Sequence, residues 1–249
     1  MIVRAIEETM RCDTRKCLFE KFDAHTDAFK FSIVSYQHML PMGLENLSSP
    51  VAIYSKGYPE LVTESYTSKR LHTNDPLLKT AMRTGVPFWW WDIEQLTKLE
   101  PEHTEFMDIM RDTNIGEGLA VPTFGPNGRN GFMGLGVGVN NMQRPYSDHE
   151  VSLIQAYCQT VHLKYCVITQ ASRKKNALSK KEIEVMICVA RGRSTNDISE
   201  KMGLSANTIN THLKRIYHKL DVTDRVSATL RFLALGYICL LYTSDAADD

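Results

Sequence analysis

The sequence predicts an α/β domain over residues 1–170, an α-β-α sandwich with a mostly antiparallel sheet, followed by an all-α domain of four helices over residues 178–238. Strand-like alternation, rich in β-branched and aromatic residues, is confined to the first part. Helical periodicity dominates the second part. Residues 171–177, between the two, are polar and basic, which is typical of a linker.

Helices and strands alternate in the predicted α/β domain. Residues 2–28 have a broken helical pattern suited to one or two surface helices. Strands are expected at Phe29–His38 and Val51–Ser55, on either side of a polar loop at residues 43–50. Three further helices, each with a proline in its first turn, where the missing N–H costs nothing, are expected at Pro59–Lys69, Pro76–Thr84 and Pro101–Asp112.

An antiparallel hairpin is predicted next. The strands Gly118–Thr123 and Gly131–Val139 flank a turn at Gly125–Gly128. The second strand contains four glycines, which weaken a strand and indicate a face that another group approaches closely. A capping sequence at Ser147 then starts a long helix that reaches about Thr169.

Residues 195–220 have the pattern of a helix-turn-helix. Thr195–Met202 is amphipathic, Gly203 ends this helix, and Ser205 is a good N-cap for the next one. In the second helix, apolar residues recur at steps of three and four and share one face, namely Ile209, Leu213, Ile216 and Leu220. The polar face carries Asn207, Asn210, Thr211, Lys214, Arg215 and His218.

Two further helices flank this pair. Ser179 and Glu182 form a capping pattern that starts a helix running to Gly192, and a fourth helix is expected at Arg225–Tyr237. Cys188 lies on the apolar face of the first of these helices, so we expect it to be buried and inert.

Charge is distributed unevenly although the formal net charge is zero. Residues 172–238 contain 13 Lys and Arg against 6 Asp and Glu, whereas residues 1–171 are slightly acidic. A basic module on a slightly acidic body indicates a polyanionic partner at one end only.

The six cysteines are scattered without a CxxC pair, and no charged-then-apolar signal segment opens the chain. We therefore expect reduced thiols and a cytoplasmic protein. No apolar run approaches the roughly 18 residues of a membrane span. No metal site is expected at His212, because no other ligand type lies three or four residues away.

Residues 239–249 fit no pattern before them. They resemble a translated sequencing-library adapter joined to a truncated gene, so we exclude them from the fold prediction and expect the native C-terminus beyond Ile238 to be missing. The alternative is a natural acidic tail.

The helical module resembles the LuxR-type helix-turn-helix domain. The match is carried by Leu178–Glu182, Ser194–Ser199, Leu204–Ile209, His212 and Lys219–Leu220, and it extends to the fourth helix, which serves as a dimer face in that family. The resemblance implies a helix in the major groove of double-stranded DNA, where side chains distinguish the base pairs.

By position in this family, Asn210 and Lys214 read bases, and their chemistry suits adenine and guanine respectively. The residues better suited to phosphate are Asn207, Thr208, Thr211 and Arg215, together with the basic residues of the linker. Thr195 is a further candidate for contact with DNA.

The α/β domain resembles the autoinducer-binding domain of the same regulators, a GAF/PAS-like fold. The resemblance rests on Tyr58-Pro59, Tyr66, Asp75-Pro76, Pro87 with Trp90, Gly118-Leu119, Pro122 and the strand from Gly128 to Gly136. It implies a closed pocket for an N-acyl homoserine lactone. Asp75 would accept a hydrogen bond from the ligand amide and Tyr58 would donate one to the acyl carbonyl, with Tyr66 and Trp90 as walls. A buried Asp75 needs such a partner.

Three positions depart from the family pattern. Val62 replaces a tryptophan that holds the lactone carbonyl, Leu77 stands where some members have a hydroxyl residue, and Gly134 stands where a serine can occur. Either a lactone binds in a reshaped site, with Trp89 or Trp91 as a substitute donor, or the ligand is another small amphiphile. A third reading is a vestigial pocket lined by ordinary core aromatics.

Together the two resemblances imply a LuxR-type quorum-sensing transcription regulator, with an orphan member that senses a non-lactone molecule as the alternative. It would act as a homodimer on a palindromic operator, with no cofactor and with a small signal molecule as its ligand. A phosphorylation-controlled response regulator is the weaker alternative, because the first strand ends at Tyr36-Gln37-His38 without an acidic pair. GxSxG, HExxH and P-loop motifs are absent, which argues against an enzyme.

Overall fold

Two helices precede the sheet, as the broken pattern of residues 2–28 predicted. They are α1 (Ile2–Met10) and α2 (Arg15–Ala28), and the break between them is set by Thr14, whose side chain accepts a hydrogen bond from the Cys17 amide and so caps α2. The computed structural model describes residues 1–39, 52–68, 75–170 and 178–237. The predicted loop at 43–50, the linker at 171–177 and the segment 239–249 lie outside the described residues.

The described residues of the α/β part contain a five-stranded sheet in which every neighbouring pair is antiparallel. The spatial order is β2-β1-β5-β4-β3, and this order puts Ser35 of β1 opposite Gly134 of β5. The predicted sandwich with a mostly antiparallel sheet is confirmed. The strands are β1 (Ile33–His38), β2 (Ala52–Lys56), β3 (Phe88–Trp89), β4 (Gly118–Thr123) and β5 (Gly131–Gly136).

Strand β1 begins later than predicted and β5 ends earlier. Phe29 closes α2 instead of opening a strand, and Lys30 then adopts a left-handed conformation with φ of 60°. The expected extension of β5 to Val139 is interrupted by Gly138, whose φ is 133°, and Val139 forms only an isolated bridge with Ile115. Phe29 and Val139 both suit a strand by residue type, but Phe29 lies at the end of a helix and Val139 lies in a loop.

The described residues of this part of the chain form five more α-helices. The predictions for α4 and α6 match the structure at both ends, whereas α3 begins just after Pro59. Ser147 and Glu150 exchange the predicted capping hydrogen bonds at the start of α7. The helices are α3 (Glu60–Ser68), α4 (Pro76–Thr84), α5 (Ile93–Leu96), α6 (Pro101–Asp112) and α7 (Asp148–Gln170).

The sheet separates two apolar clusters. On one face, Phe22 of α2 and Tyr157 of α7 pack with Tyr36 of β1. On the other face, the residues of α3, α4 and α6 pack around Trp90. Because both faces are covered, even the polar residues of β1 are buried.

The indole ring of Trp90 lies against three glycines of the sheet. Gly118 and Gly136 are directly opposite each other on β4 and β5. A Cβ at Gly118 would be 2.6 Å from ring carbons of Trp90, and one at Gly136 would be 2.8 Å from the same ring. At Gly134 a Cβ would be 2.6 Å from the Tyr58 hydroxyl. The groups that approach the glycine-rich face closely are therefore the protein's own aromatic side chains.

The second unit consists of four helices among the described residues, as predicted. They are α8 (Lys180–Ala190), α9 (Thr195–Met202), α10 (Ala206–Leu220) and α11 (Arg225–Ala234). Gly203 ends α9 in the left-handed conformation with φ of 62°, and the Ser205 hydroxyl accepts from the Thr208 amide at 3.1 Å. The fourth helix stops three residues short of the prediction, before Gly236 at φ of 77°.

The apolar face of α10 is buried as predicted, in one cluster with α8, α9 and α11. Glu182 links two of these helices. One of its oxygens, Oε2, accepts the Ser179 amide at 2.7 Å and the Lys219 ammonium of α10 at 2.7 Å. Burial alone would raise the pKa of Glu182, but these two partners lower it below its ordinary value.

The expectation of reduced thiols was wrong for one pair. Cys12 and Cys17 form a disulfide, with their Cα atoms 5.6 Å apart. The physical reason is local, because the end of α1 and the first turn of α2 bring the two residues together across a short turn. Cys158, Cys166 and Cys188 are buried and form no disulfide within the described residues, which confirms the predicted burial of Cys188.

Within the described ranges, no helix combines the length and the apolar composition that a membrane span requires.

The packing of Trp90 on the glycines predicts that a methyl group added at Gly118 destabilises the fold. Gly118→Ala should lower the free energy of unfolding by about 1–3 kcal/mol, because the ring and the backbone cannot both keep their positions. Urea denaturation followed by far-ultraviolet circular dichroism measures this loss. In a Trp90→Leu background, the same glycine substitution should cost much less. An equal loss in both backgrounds would show that the ring is not the cause.

Candidate functional site

A cavity of about 160 Å³ lies between the sheet and helices α3, α4 and α6. Its wall is mainly apolar, with a few hydroxyl, amide and carboxylate groups. The structure brings all the residues predicted to bind a ligand to this one cavity, namely Tyr58, Val62, Tyr66, Asp75, Leu77, Trp90 and Gly134.

Sequence reasoning missed the contribution of strand β1. Ser35 and Gln37 point to the cavity side of the sheet, and they are only 6% and 3% exposed. Polar residues at alternate positions usually mark the solvent face of a strand. The signal that could have revealed their role is that helices are predicted on both sides of the sheet. The other lining residues are Ser55, Thr63, Phe106, Met110 and Phe132.

Asp75 is buried, with 3% exposure, and the protein itself supplies partners for its carboxylate. Oδ1 accepts the amides of Leu77 at 2.9 Å and Leu78 at 3.2 Å, which makes Asp75 the N-cap of α4. Oδ2 accepts the Tyr66 hydroxyl at 3.0 Å. The expectation that Asp75 requires a ligand as its partner was therefore incomplete. A carboxylate accepts about four hydrogen bonds, and the described residues supply three of them, so they leave one position for a ligand donor.

A chain of hydrogen bonds joins this carboxylate to the sheet. The Gln37 amide nitrogen donates to the Tyr66 hydroxyl at 2.6 Å, and Tyr66 donates to Asp75. Nearby, the hydroxyls of Ser35 and Tyr58 are 3.1 Å apart. The polar groups of the cavity therefore form two short networks on a wall that is otherwise apolar.

Burial controls the protonation of these groups. It raises the pKa of Asp75 to about 6, although the hydrogen bonds from Leu78, Tyr66 and Leu77 act in the opposite direction. Burial also raises the pKa of the Tyr58 and Tyr66 hydroxyls above their ordinary value. Near neutral pH the cavity therefore holds an ionised acceptor and two neutral hydroxyl groups.

The three adjacent tryptophans have different environments. Trp90 lines the cavity, Trp91 donates its indole N–H to the Gly116 carbonyl at 3.2 Å, and Trp89 packs in the apolar cluster on the opposite face of the sheet. The idea that Trp89 or Trp91 replaces the missing donor was wrong, because neither lines the cavity. The indole that does line it belongs to Trp90.

The second candidate site is the polar face of α10. Asn207, Thr208, Asn210, Thr211, Lys214 and Arg215 are all exposed, and Thr195 at the start of α9 is half-buried. Thr195, Asn207, Asn210, Thr211 and Lys214 border one concave surface, and the other residues that line it are Leu213, Tyr217 and Arg225. Within the described residues, no group of three or more His, Cys, Asp or Glu could hold a metal ion.

Comparison with known families identifies both parts of the chain. Residues 14–165 match the autoinducer binding domain, and residues 176–232 match the bacterial regulatory proteins of the luxR family. The chain belongs to the LuxR family. It is a ligand-responsive transcription regulator, in which the first domain takes a small signal molecule and the helix-turn-helix domain binds DNA.

Relatives cover most of the chain at low identity. The transcriptional activator protein AnoR of Acinetobacter nosocomialis is 23% identical over 224 residues, which span 89% of this chain and 92% of AnoR. The putative HTH-type transcriptional regulator y4qH of Sinorhizobium fredii is 28% identical over 183 residues. The match spans 73% of this chain but only 55% of y4qH.

Two solved structures have the same fold. SdiA of Escherichia coli has a TM-score of 0.76 at 18% identity, covering 96% of this chain and 98% of SdiA. SdiA in complex with octanoyl-rac-glycerol has a TM-score of 0.74 at 17% identity, covering 94% of each chain. These likenesses confirm the predicted order of an α/β sensor domain followed by a helical domain.

The raised pKa of Asp75 predicts a pH dependence of stability. The folded pKa is about 6 against an ordinary 3.8, so the folded state binds a proton between these values that the unfolded state releases. Stability from this group is therefore gained as pH falls through about 6. Asp75→Asn should remove the gain, which amounts to about 2 kcal/mol between neutral pH and pH 4.

Urea denaturation at several pH values measures this difference, and tryptophan fluorescence reports it selectively, since all three tryptophans of the protein lie at residues 89–91 of the α/β part. Asp112→Asn, at an exposed carboxylate of α6, is the control and should keep the wild-type pH slope. Identical slopes for wild type and Asp75→Asn would contradict the prediction.

Proposed function

We propose that the cavity binds an N-acyl homoserine lactone or a related acylated small signal, and that the bound protein recognises a palindromic operator as a homodimer. The observation that carries the proposal is the pairing, in one buried cavity, of a capped carboxylate with hydroxyl groups on an apolar wall. Such a site suits an amphiphile with a polar amide-like or ester-like head and an apolar chain.

The polar groups match an acyl head in position and in charge. The remaining acceptor position of Asp75 suits an amide N–H. The Tyr58 and Ser35 hydroxyls share one hydrogen bond, so one of their two protons is left to donate to a carbonyl. The chain of the ligand would lie against Val62, Phe106 and Phe132.

The departures from the family pattern favour a reshaped head-group site. Val62 and Leu77 carry no donor, and a side chain at Gly134 would collide with the Tyr58 hydroxyl. A lactone that binds here loses a donor to its ring carbonyl, which costs roughly 10- to 100-fold in affinity. This supports a second candidate ligand, an acylated molecule without a lactone ring. SdiA, which has a similar fold, was solved in complex with octanoyl-rac-glycerol, an acylated molecule of this kind.

Ligand binding would act through the stability of the α/β domain. A ligand that binds only the folded state adds about 2.7 kcal/mol to its stability at a concentration of 100 times Kd. The protein would function in the bacterial cytoplasm, associated with the nucleoid when bound to DNA.

On DNA, α10 would lie in the major groove, with Asn210 reading adenine and Lys214 reading guanine. Thr195, Asn207, Thr208, Thr211 and Arg215 would contact phosphates, which position the helix without specifying sequence. Two such helices in a dimer would read half-sites one helical turn apart.

Binding of N-octanoyl homoserine lactone and of 1-octanoylglycerol should raise the thermal midpoint of the protein and change its tryptophan emission, because Trp90 lines the cavity. Tyr58→Phe should weaken binding about 10-fold, since one hydroxyl donor is lost. Tyr54→Phe, in the cluster on the other face of the sheet, is the matched control and should bind like wild type. Mass spectrometry of molecules extracted from the purified protein would identify the natural ligand. A lack of response to acylated compounds and to cell extracts would favour a vestigial pocket.

Asn210→Ala and Lys214→Ala should each reduce the preference for the operator over random DNA by about 1–3 kcal/mol, because each removes a base contact. Fluorescence anisotropy with both DNAs measures the preference as a ratio of affinities. Lys180→Ala removes an exposed positive charge from α8 and is the control, which should weaken binding to both DNAs alike. An unchanged ratio in the α10 variants would refute their role as base readers.

A further inference from the structure

Two buried polar atoms at the cavity lack a hydrogen-bond partner. Within residues 1–39, 52–68, 75–170 and 178–237, Gln37 Oε1 accepts no hydrogen bond and Trp90 Nε1 donates none. Both residues line the cavity, and both are almost fully buried, at 3% and 1% exposure. A buried polar group without a partner is rare and calls for an explanation.

The orientation of the Gln37 amide follows from its neighbours. The Tyr66 hydroxyl has one proton, and the carboxylate of Asp75 is the strongest acceptor within reach. Tyr66 must therefore accept its second hydrogen bond, and the amide nitrogen of Gln37 supplies it at 2.6 Å. The amide oxygen is then the atom left over. Turning the amide round would break the bond to Tyr66 and leave the nitrogen without an acceptor.

Gln37 Oε1 requires a donor, and Trp90 Nε1 requires an acceptor. An aliphatic hydroxyl meets the requirement of Gln37, because it carries a proton. A ketone oxygen can accept from Trp90 but offers nothing to Gln37. A methylene group meets neither requirement.

The position of Gln37 indicates where on the ligand this hydroxyl lies. Two hydrogen bonds, of 2.6 and 3.0 Å, connect Gln37 through Tyr66 to Asp75, which is the group expected to hold the polar head. The side chain is therefore close to the head of the ligand and not to the end of its chain.

We propose that Gln37 is a specificity-determining residue that selects acylated ligands with a hydroxyl group close to the acyl carbonyl. This inference rests on the proposed function of the cavity and names a property of its ligand. The hydroxyl can belong to the acyl chain, as in a 3-hydroxyacyl lactone, or to the head group, as in a monoacylglycerol. Both sources present the same chemistry to Gln37.

Binding of five octanoyl compounds to the full chain tests the inference. The lactone series is N-(3-hydroxyoctanoyl), N-(3-oxooctanoyl) and N-octanoyl homoserine lactone, and the head-group pair is 1-octanoylglycerol and ethyl octanoate. In at least one set, wild type should bind the hydroxylated compound about 10-fold more tightly than its counterparts, since one hydrogen bond to a buried acceptor is gained. The set that shows the preference identifies the source of the hydroxyl.

Gln37→Leu and Gln37→Met should abolish that preference, so that the 3-hydroxy and 3-oxo lactones, or the glycerol and ethyl esters, differ by less than about twofold. Two variants are used because a leucine branch can disturb packing, whereas methionine matches the length of glutamine. Ser35→Ala, on the same face of β1, is the control. It should change the affinities for all compounds by a common factor and preserve their ratio.

Equal affinities of wild type for hydroxylated and unhydroxylated compounds would overturn the role of Gln37 and leave the proposed function intact. A wild-type ratio that persists in both Gln37 variants would do the same. Failure of all five compounds to bind would contradict the proposed function, and this inference with it.

Discussion

The carboxylate of Asp75 is the interaction on which the cavity depends. It begins α4 by accepting two backbone amides, holds Tyr66 of α3 through the phenol proton, and reaches β1 through Gln37. A single buried charge therefore connects two helices and the sheet. Burying that charge is costly, which the raised pKa expresses. The same group thus caps a helix and lines the cavity, and the described residues leave one of its acceptor positions unused.

A second constraint acts from the sheet side. Trp90 can lie against β4 and β5 only because Gly118 and Gly136 have no side chains, and Tyr58 approaches β5 only because of Gly134. The floor of the cavity is therefore made of backbone and aromatic rings. Neither strand can move toward a ring that is already in contact with it. The volume of the cavity therefore depends on the missing side chains of these glycines as much as on packing.

Much of this architecture is predictable from local chemistry. Proline at the first turn located α4 and α6, and the capping residues Ser179 and Ser205 located α8 and α10, because helix ends leave backbone groups that few residue types satisfy. The start of β1 was predicted too early, because Phe29 is of a residue type that suits a strand but closes α2 instead. The resemblance to the LuxR family, and not local chemistry, predicted which residues of α3, α4 and β5 line the cavity.

The contributions of Ser35 and Gln37 were missed for a different reason. Their alternation gives the same pattern as a solvent-facing strand, and only the packing of helices on both faces shows that the polar side is enclosed. The role of Asp75 as the N-cap of α4 was also missed. Aspartate before proline is a strong start for a helix, but the residue had been assigned to ligand binding through the family resemblance. The Cys12–Cys17 pairing depends on a turn whose geometry no residue pattern announces.

Oε2 of Glu182 accepts both the Ser179 amide, two residues after the predicted linker, and the Lys219 ammonium near the end of α10. One atom thus joins the point at which the chain enters the DNA-binding unit to the helix that would read the bases. These two bonds hold the start of α8 to the last turn of α10 in addition to the apolar packing of the unit. A change at Glu182 would therefore disturb the cap of α8 and the C-terminal end of α10 together.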